Sequence, residues 1–372
     1  MNAVDEYSRV RVTLGFAAKN YGFEVVPAFA TGVTITSLAH DVRQVRPGCL
    51  FVPIGHVDKR QLEAARDAGA YAALVPPEFR NEASTLGLPL LVSSYNPVAL
   101  GKLACDINGD PSSCVATFAV AGDDDDEIHA NVIRLADFLH MLGNPVGIIS
   151  DSGSMSLQRE LSLQYPLHIA DVQHTLSVCA EDGAAAVVIA LNSATLSKNA
   201  LQSVNIDVLG AEESSAEKAS AEKASVEKAS AESSEEKISS EKSVVNSVVN
   251  SEVKSETNSE VNSEVKSETN SEVKSEVKSE IKSSVEKTAL DYLPPLRQLS
   301  FYSLRQRYGF ASRDHAYCVT RSAESDELAQ LADQIGGKDV KKHLSLTIAM
   351  VLAAGVRRGT IKSALRVSRE LR

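Results

Sequence analysis

The chain has 372 residues, with 38 Lys and Arg against 49 Asp and Glu, which gives a formal net charge of −11. Residues 212–288 hold 21 Ser, 18 Glu and 11 Lys and no aromatic residue, so most of the excess acidity belongs to a segment too polar to build a core. The remainder has length for about two domains. Its mild acidity excludes a nucleic-acid interface and a basic membrane-binding surface.

Localisation is predicted from features that the sequence lacks. The N-terminal residues contain no apolar stretch typical of a signal peptide, and the longest uncharged apolar run, residues 344–356, is too short to span a bilayer. The five cysteines are scattered without a CxxC pattern, which favours a reducing cytosol over a disulfide framework or a thiolate zinc site. We therefore expect a cytoplasmic protein without membrane insertion.

Residues 1–110 are predicted to form a first α/β domain. Strands are expected over residues 33–36, 49–54, 71–75 and 89–92, with a helix over 59–68 that ends at Gly69. A strand–helix–strand order at this spacing is typical of a parallel sheet covered by helices.

A second α/β domain is predicted over residues 111–211 and 289–372. Strands are expected over 114–120, 146–149, 185–191, 299–302 and 316–319, and helices over 128–139, 172–180, 326–335, 340–354 and 361–371. Residues 212–288 interrupt this domain with a five-residue and then a four-residue repeat, whose valines make no stable stripe on a helix. We expect this insertion to be disordered, either as a tether or as a tolerated surface insertion.

Three strings of the sequence fit a known pattern. Asp41-Val42-Arg43, followed by residues 45–52, fits D-S-R-x-V-x-P-G-x-L-F-x-A, with Val42 in place of the serine. Residues 65–70 fit A-x-x-x-G-A, and residues 108–113 read Asn-Gly-Asp-Pro-Ser-Ser. These strings resemble the signature, a helix end and the linker to the central domain of the Mur ligases, cytoplasmic ATP-dependent enzymes that add amino acids to UDP-N-acetylmuramoyl peptides. The similarity is closest to the enzymes that extend UDP-N-acetylmuramoyl-alanyl-glutamate.

The resemblance implies a UDP-binding-type N-terminal α/β domain and a central ATPase-like domain with a parallel sheet. The family uses ATP and Mg²⁺ as cofactors. Asp41 and Arg43 become candidates for holding the uridine nucleotide, with a purely structural turn pair as the alternative. The chain ends about where the family's C-terminal domain begins, so we expect that domain to be absent.

The resemblance also aligns the family's phosphate loop, V-T-G-T-N-G-K-T-T, with a string that lacks the phosphate-binding residues. Glycines, a lysine and a threonine hold the phosphates and Mg²⁺ in such a loop. Here the string reads Gly122, Asp123, Asp124, Asp125, Asp126, Glu127, with Asp126 at the lysine position and Glu127 at the threonine position. Two unit charges about 4 Å apart repel by about 4 kcal/mol at an effective dielectric constant of about 20, so these carboxylates disfavour a polyphosphate. The acids suit the first turn of a helix; a cation site that includes His129 is an alternative.

Other family site positions are replaced as well. Ala190 and Ala194 stand where the family has a metal-binding glutamate and a histidine. Asp339 and Lys342 stand where it has asparagines near the nucleotide. We therefore predict neither a metal nor a nucleotide cofactor for this chain.

These observations predict a catalytically degenerate Mur-ligase-like protein of peptidoglycan precursor synthesis. It would act as a binding or scaffold protein, with a UDP-N-acetylmuramoyl peptide or UDP as ligand and a cell-wall synthesis protein as partner. The alternative is an active ATP-dependent UDP-N-acetylmuramoyl-peptide ligase that works with a partner chain. A module that sequesters UDP-N-acetylmuramoyl peptides without chemistry is a third hypothesis.

Overall fold

The structure is a computed structural model that describes residues 11–55, 57–211, 295–332 and 338–370. Contacts divide the chain into one unit of Met1–Glu212 with Phe301–Arg372 and a second unit of Glu213–Ser300. The two sheets and the sites described below belong to the first unit. The Ser/Glu/Lys repeat of residues 212–288 lies outside the described residues, and the predicted domain boundaries stay predictions.

Five short strands form what we call the N-terminal sheet: β1 (Glu24–Val26), β2 (Ser37–Ala39), β3 (Cys49–Phe51), β4 (Ala72–Val75) and β5 (Leu90–Val92). Their order is β1-β5-β4-β3-β2, with β2 to β5 parallel and β1 antiparallel to β5. The helices of this region are α1 (Leu14–Tyr21), α2 (Lys59–Asp67), α3 (Arg80–Ala83) and α4 (Pro97–Ile107). The predicted strand–helix–strand unit of β3, α2 and β4 is confirmed.

Two glycines in the strings that resemble the Mur ligase pattern lie where the backbone conformation requires glycine. Gly69 follows the C-cap of α2 with a φ of 101°, in the left-handed region where a side chain would be strained. Gly48 precedes β3 with a φ of 88°, and a β-carbon there would overlap the hydroxyl of Thr36. The predicted helix end at Gly69 is confirmed.

The predicted strand over residues 33–36 is wrong. This segment is extended, but it bonds mainly to the chain at the start of α1: the Leu14 amide donates to the Val33 carbonyl, and the Ile35 amide donates to the Val12 carbonyl. The Thr36 amide alone donates towards β3, to the Gly48 carbonyl. The sheet strand β2 begins one residue later, at Ser37. A β-branched run predicts extended backbone, but it does not specify which neighbour accepts its hydrogen bonds.

Seven strands form the central sheet: β6 (Ala116–Ala121), β7 (Val146–Ile149), β8 (Ser154–Ser156), β9 (Arg159–Leu161), β10 (Ala186–Ala190), β11 (Asn205–Ala211) and β12 (Ala311–Val319). Their order is β12-β11-β6-β10-β7-β8-β9, parallel from β12 to β7 and antiparallel in the β7-β8-β9 meander. The helices of this region are α5 (Pro111–Cys114), α6 (Asp125–Met141), α7 (Ile169–Glu181), α8 (Pro295–Tyr308), α9 (Ala323–Gln330), α10 (Lys338–Ala353) and α11 (Arg358–Glu370). The predicted α/β fold class is confirmed.

The central sheet has an apolar core on each face. Val120 and Val188 pack with side chains of α6, α9, α10 and α11 on one face. Ala119 and Val187, one residue away on the same strands, pack with α7 on the other face. Because side chains alternate along a strand, burial on both faces explains why these strands are continuously apolar.

The predicted strand over residues 299–302 is also wrong, because this segment lies inside α8. Pro295 is the first residue of that helix, where a proline is tolerated, and the rest of α8 is rich in Leu, Arg and Gln, which favour helix. The strand prediction rests on a short apolar string, and such a string is compatible with both a strand and a helix. Among the described helices, none is both long and apolar enough to cross a membrane.

Candidate functional site

The acidic string predicted at the phosphate-loop position lies between β6 and α6. Gly122 follows the strand directly, Asp124 is the N-cap of α6, and Asp125 begins the helix. Asp123 to Asp126 are exposed. Their placement at a helix N-terminus confirms the first-turn interpretation, since the helix dipole favours negative charge there.

Asp124 already uses part of the anion-binding capacity of this helix start. One of its carboxylate oxygens accepts a hydrogen bond of 3.3 Å from the backbone amide of Asp126. The first amides of a helix are the groups that would otherwise bind a phosphate. At this junction a tethered carboxylate therefore competes with any external anion.

Helix α10 reaches the same junction. Lys342 donates to Oε1 of Glu127 at 2.7 Å, and the next residue, His343, lies with its Nδ1 atom 2.9 Å from Oδ1 of Asn131. Asp339, the other replaced position, belongs to the first turn of α10. The structure thus brings Lys342 and Glu127 together, two residues that the resemblance marks separately as replacements.

The two alanines at the predicted metal positions carry no polar group into the site. Ala190 ends β10 and is fully buried, whereas Ala194 is exposed. Four polar residues nevertheless converge beside them, at the carboxyl ends of the parallel strands. We call them the strand-end cluster: His129, Asp151, Asn192 and Thr195.

One oxygen of Asp151 organises the strand-end cluster. Its Oδ1 atom lies 2.6 Å from the hydroxyl of Thr195, 2.8 Å from Nε2 of His129 and 3.3 Å from Nδ2 of Asn192. Burial acts to raise the pKa of Asp151, but these three hydrogen bonds outweigh it and lower the pKa below the usual carboxyl value. Asp151 is therefore ionised at neutral pH, and Nε2 of His129 carries the proton that it donates.

The sequence motifs do not predict this cluster, apart from His129 as a candidate cation ligand. Asp151 and Asn192 each follow within two residues of a buried parallel strand. Polar residues at the carboxyl ends of parallel strands are a known signal for a ligand site. Their convergence depends on β7 lying beside β10, which the chain order does not reveal. Within the described residues there is no group of three His, Cys, Asp or Glu side chains that could hold a metal ion.

A cavity of about 400 Å³ lies between the carboxyl ends of the N-terminal sheet and the start of α7. The loop after β3, with Ile54, contributes an apolar wall, and Tyr95 lies at its rim. His40, His168 and Lys198 add nitrogen-bearing side chains. The volume falls in the range of ligand pockets, and the basic groups suit an anionic ligand.

Asp41 and Arg43, the predicted uridine-nucleotide candidates, lie next to His40 but do not line this cavity. Asp41 caps a short 3₁₀ turn over Val42–Gln44 and forms an ion pair with Arg43. The hydrogen bonds from Arg43 lower the pKa of Asp41 to about 2. Arg43 also donates to Oε1 of Gln164 at 3.2 Å, and its side chain remains 72% exposed. A structural turn pair is thus present, and uridine-nucleotide binding stays a prediction.

The two largely parallel sheets covered by helices define a protein of the α/β class. No protein-family model matches the sequence. Individual curated proteins do match it, and they are Mur ligases.

A UDP-N-acetylmuramyl-tripeptide synthetase of Deinococcus radiodurans is 30% identical over 189 residues, which cover 48% of this chain and 37% of that protein. A protein of the same name from Limosilactobacillus reuteri is 23% identical and covers 48% of this chain and 34% of that protein. A UDP-N-acetylmuramoyl-L-alanyl-D-glutamate–2,6-diaminopimelate ligase of Streptomyces coelicolor is 27% identical and covers 44% and 32%. The chain spans about a third of the length of these relatives.

Solved structures of two such ligases are also similar in part. One is a UDP-N-acetylmuramoyl-L-alanyl-D-glutamate–2,6-diaminopimelate ligase, at 16% identity and a TM-score of 0.40 over 55% of this chain and 41% of the other. The second, a UDP-N-acetylmuramoylalanyl-D-glutamyl-2,6-diaminopimelate–D-alanyl-D-alanyl ligase from Acinetobacter baumannii, has 14% identity and a TM-score of 0.35 over 54% of this chain and 41% of the other. The curated relatives confirm the resemblance predicted from the sequence: over about half of its length this chain is a homologue of the Mur ligases.

Proposed function

We propose that this chain is a Mur-ligase-like protein of peptidoglycan precursor synthesis that binds a UDP-N-acetylmuramoyl peptide but carries out no ATP-dependent ligation. The observation that carries the proposal is the junction between β6 and α6. There Asp124 caps the helix, and Asp125 and Asp126 extend an exposed row of carboxylates where a nucleotide-binding loop needs glycine and lysine. No nucleotide cofactor is part of the proposal.

The cavity at the start of α7 is the proposed ligand site. The relatives are named for UDP-N-acetylmuramoyl substrates, which contain a diphosphate. Lys198 is exposed at the cavity, and His40 and His168 provide imidazole nitrogens, so the polar part of the lining favours a negatively charged group. The apolar wall around Ile54 would accept the uncharged part of the same ligand.

Asp41 and Arg43 keep their role as candidate contacts for the uridine nucleotide within this proposal. Arg43 has five N–H donors, and those that do not bond Asp41 or Gln164 remain for a ligand. A protein that binds the precursor without chemistry would act as a scaffold for a cell-wall synthesis protein, in the cytoplasm. The existence of such a protein partner is itself part of the proposal.

Isothermal titration of the full chain tests both halves of the proposal. We expect binding of UDP-N-acetylmuramoyl-alanyl-glutamate and no measurable binding of Mg-ATP up to about 1 mM, a concentration that corresponds to about −4 kcal/mol of binding free energy. Micromolar binding of Mg-ATP would overturn the degenerate nucleotide site. Phosphate release from ATP with the UDP compound and amino acids would favour the active ligase instead.

A matched pair of variants tests the location. Lys198→Ala should weaken binding of the UDP compound, because it removes a cation from the cavity. Lys102 is exposed on α4 and does not line the cavity, so Lys102→Ala should bind like the unmodified chain. Equal affinity of both variants would show that the ligand does not use this cavity.

A further inference from the structure

Two histidines from different parts of the chain meet at the cavity. His40 follows β2 of the N-terminal sheet, and His168 is the N-cap residue of α7. Their ring centroids are 4.8 Å apart, with the planes tilted by 59°. Both rings line the cavity together with Lys198. We call His40 and His168 the imidazole pair.

The hydrogen bonds of the imidazole pair leave it incompletely satisfied. Nδ1 of His168 lies 3.0 Å from the hydroxyl of Ser197. Nδ1 of His40 is buried and, within the described part of the chain, has no hydrogen-bond partner, although Oδ2 of Asp171 is 3.4 Å away. That carboxylate oxygen instead accepts from the backbone amide of His168 at 2.9 Å. A buried nitrogen without a partner is costly, and a ligand or a proton can reduce the cost.

Charged groups face the pair from each of the surrounding segments. Asp171 lies on α7, Asp41 follows His40 in the chain, and Lys198 lines the same cavity. Burial lowers the pKa of His168 below its usual value of 6.5, and the nearby His40 lowers it further, whereas Asp171 acts in the other direction. His168 is therefore largely uncharged at neutral pH in the free protein.

We propose that an anionic ligand in this cavity binds together with a proton, which the imidazole pair takes up, so that affinity rises as the pH falls. The inference rests on the proposed function, since it concerns the same cavity and the same UDP-linked ligand. An anion beside two imidazole rings favours their charged form. By linkage, the proton and the ligand then strengthen the binding of each other. Full uptake of one proton would raise the affinity about tenfold per pH unit.

The test is isothermal titration of the full chain with UDP-N-acetylmuramoyl-alanyl-glutamate at pH 8 and pH 6. This probe is suitable because its carboxyl groups titrate near pH 4 and a diphosphate diester does not titrate in this range. We expect the affinity to be roughly threefold to tenfold higher at pH 6, because the proton is taken up over only part of the range between pH 8 and pH 6. At pH 7 the binding heat should depend on the ionisation enthalpy of the buffer, with the sign of proton uptake.

The variant His168→Asn should remove most of both effects. Asparagine is a favourable N-cap residue, so α7 should still form. His174→Asn is the matched control, because His174 is exposed on the same helix and does not line the cavity. This control should keep the pH dependence of the unmodified chain.

The outcomes separate the two proposals. If the UDP compound does not bind at either pH, the proposed function fails. If it binds with the same affinity at pH 6 and pH 8 and without proton uptake, the proposed function stands and the proton-linked mechanism is wrong. If His168→Asn and His40→Asn each keep the full pH dependence, the proton goes elsewhere and the imidazole pair is not its acceptor.

Discussion

The Nζ atom of Lys342 lies 2.7 Å from Oε1 of Glu127, so that helix α10 is joined by an ion pair to the first turn of α6. In the Mur ligase pattern these positions carry an asparagine and a threonine, both uncharged. In this chain each replacement introduces a charge, and the two charges have opposite sign. The acid in the first turn of α6 and the lysine on α10 therefore compensate one another.

A double-mutant cycle on this pair should show a favourable coupling. The side chains of Lys342 and Glu127 are 23% and 39% exposed, so solvent screens the interaction in part. We expect the variants Lys342→Met and Glu127→Gln to give a coupling of about 0.5–1 kcal/mol in urea denaturation, smaller in 1 M salt. The control is the more exposed pair of Arg80 and Glu24, for which the coupling should be smaller. Zero coupling at low salt would show that the contact contributes nothing to stability.

The cap of α6 leads to a second prediction. Because Asp124 accepts a hydrogen bond from the amide of Asp126, Asp124→Ala should lower the free energy of unfolding by about 1 kcal/mol, whereas Asp124→Ser should preserve most of it. Asp123→Ala, one residue earlier and exposed, serves as the control and should have little effect. If Asp124→Ala and Asp123→Ala cost the same in thermal denaturation, the capping role is wrong.

The acids at the start of α6 illustrate which features of the fold local sequence patterns can predict. The strand before Gly122, the helix after Asp124 and the helix end at Gly69 follow from composition and spacing, because the physics involved is local. The helix around Leu299 could not be predicted in this way, since a short apolar string fits a strand and a helix equally well. Helix α4 was also missed, although Asn96 and Pro97 mark its start with a cap and a first-turn proline.

The candidate sites are harder to predict, because each depends on which distant segments become neighbours. His129 and Asp151 meet because β6, β10 and β7 lie side by side, an order that differs from their order in the chain. His40 and His168 are 128 residues apart, and neither stands in a motif. Residue spacing predicts contacts within an element, and only the sheet order supplies the rest.

The strand-end cluster should make stability depend on pH. The pKa of Asp151 is lower in the folded chain than in the unfolded chain, so its ionised form stabilises the fold at neutral pH. This contribution is fully present above the unfolded carboxyl value of about 3.9 and is lost as the pH falls through the folded value. Asp151→Asn should therefore unfold more easily at pH 7, by about 1–3 kcal/mol, because the hydrogen bonds from Thr195 and His129 lose their charged acceptor.

Urea denaturation between pH 7 and pH 3 checks this prediction. The difference between the unmodified chain and Asp151→Asn should shrink as the pH approaches 3. Thr195→Val keeps the shape but removes one donor to Asp151, and it should give an intermediate result. A difference that stays constant over the whole pH range would mean that the ionisation of Asp151 does not contribute.

Gly101 tests the close approach of α4 to the segment between β10 and β11. A β-carbon added at Gly101 would lie 2.5 Å from Cβ of Gln202 and 3.0 Å from its backbone carbonyl, so backbone would have to move. In an open helix, a change from glycine to alanine stabilises by about 1 kcal/mol. Here we expect Gly101→Ala to destabilise by roughly 1–3 kcal/mol, since overpacking outweighs the helix propensity. Whether Gly101→Ala stabilises or destabilises the fold therefore tests how closely α4 packs against Gln202.

Gly359 provides the matched substitution, because it also lies in a helix, α11, and a β-carbon there would have nothing within 4 Å. Gly359→Ala should raise the free energy of unfolding by up to about 1 kcal/mol, measured by urea denaturation under the same conditions. If Gly101→Ala were stabilising to the same extent, α4 could not be packed this closely against Gln202. Opposite signs for the two alanines would support the close packing of α4 at Gly101 against Gln202, because no such neighbour faces Gly359.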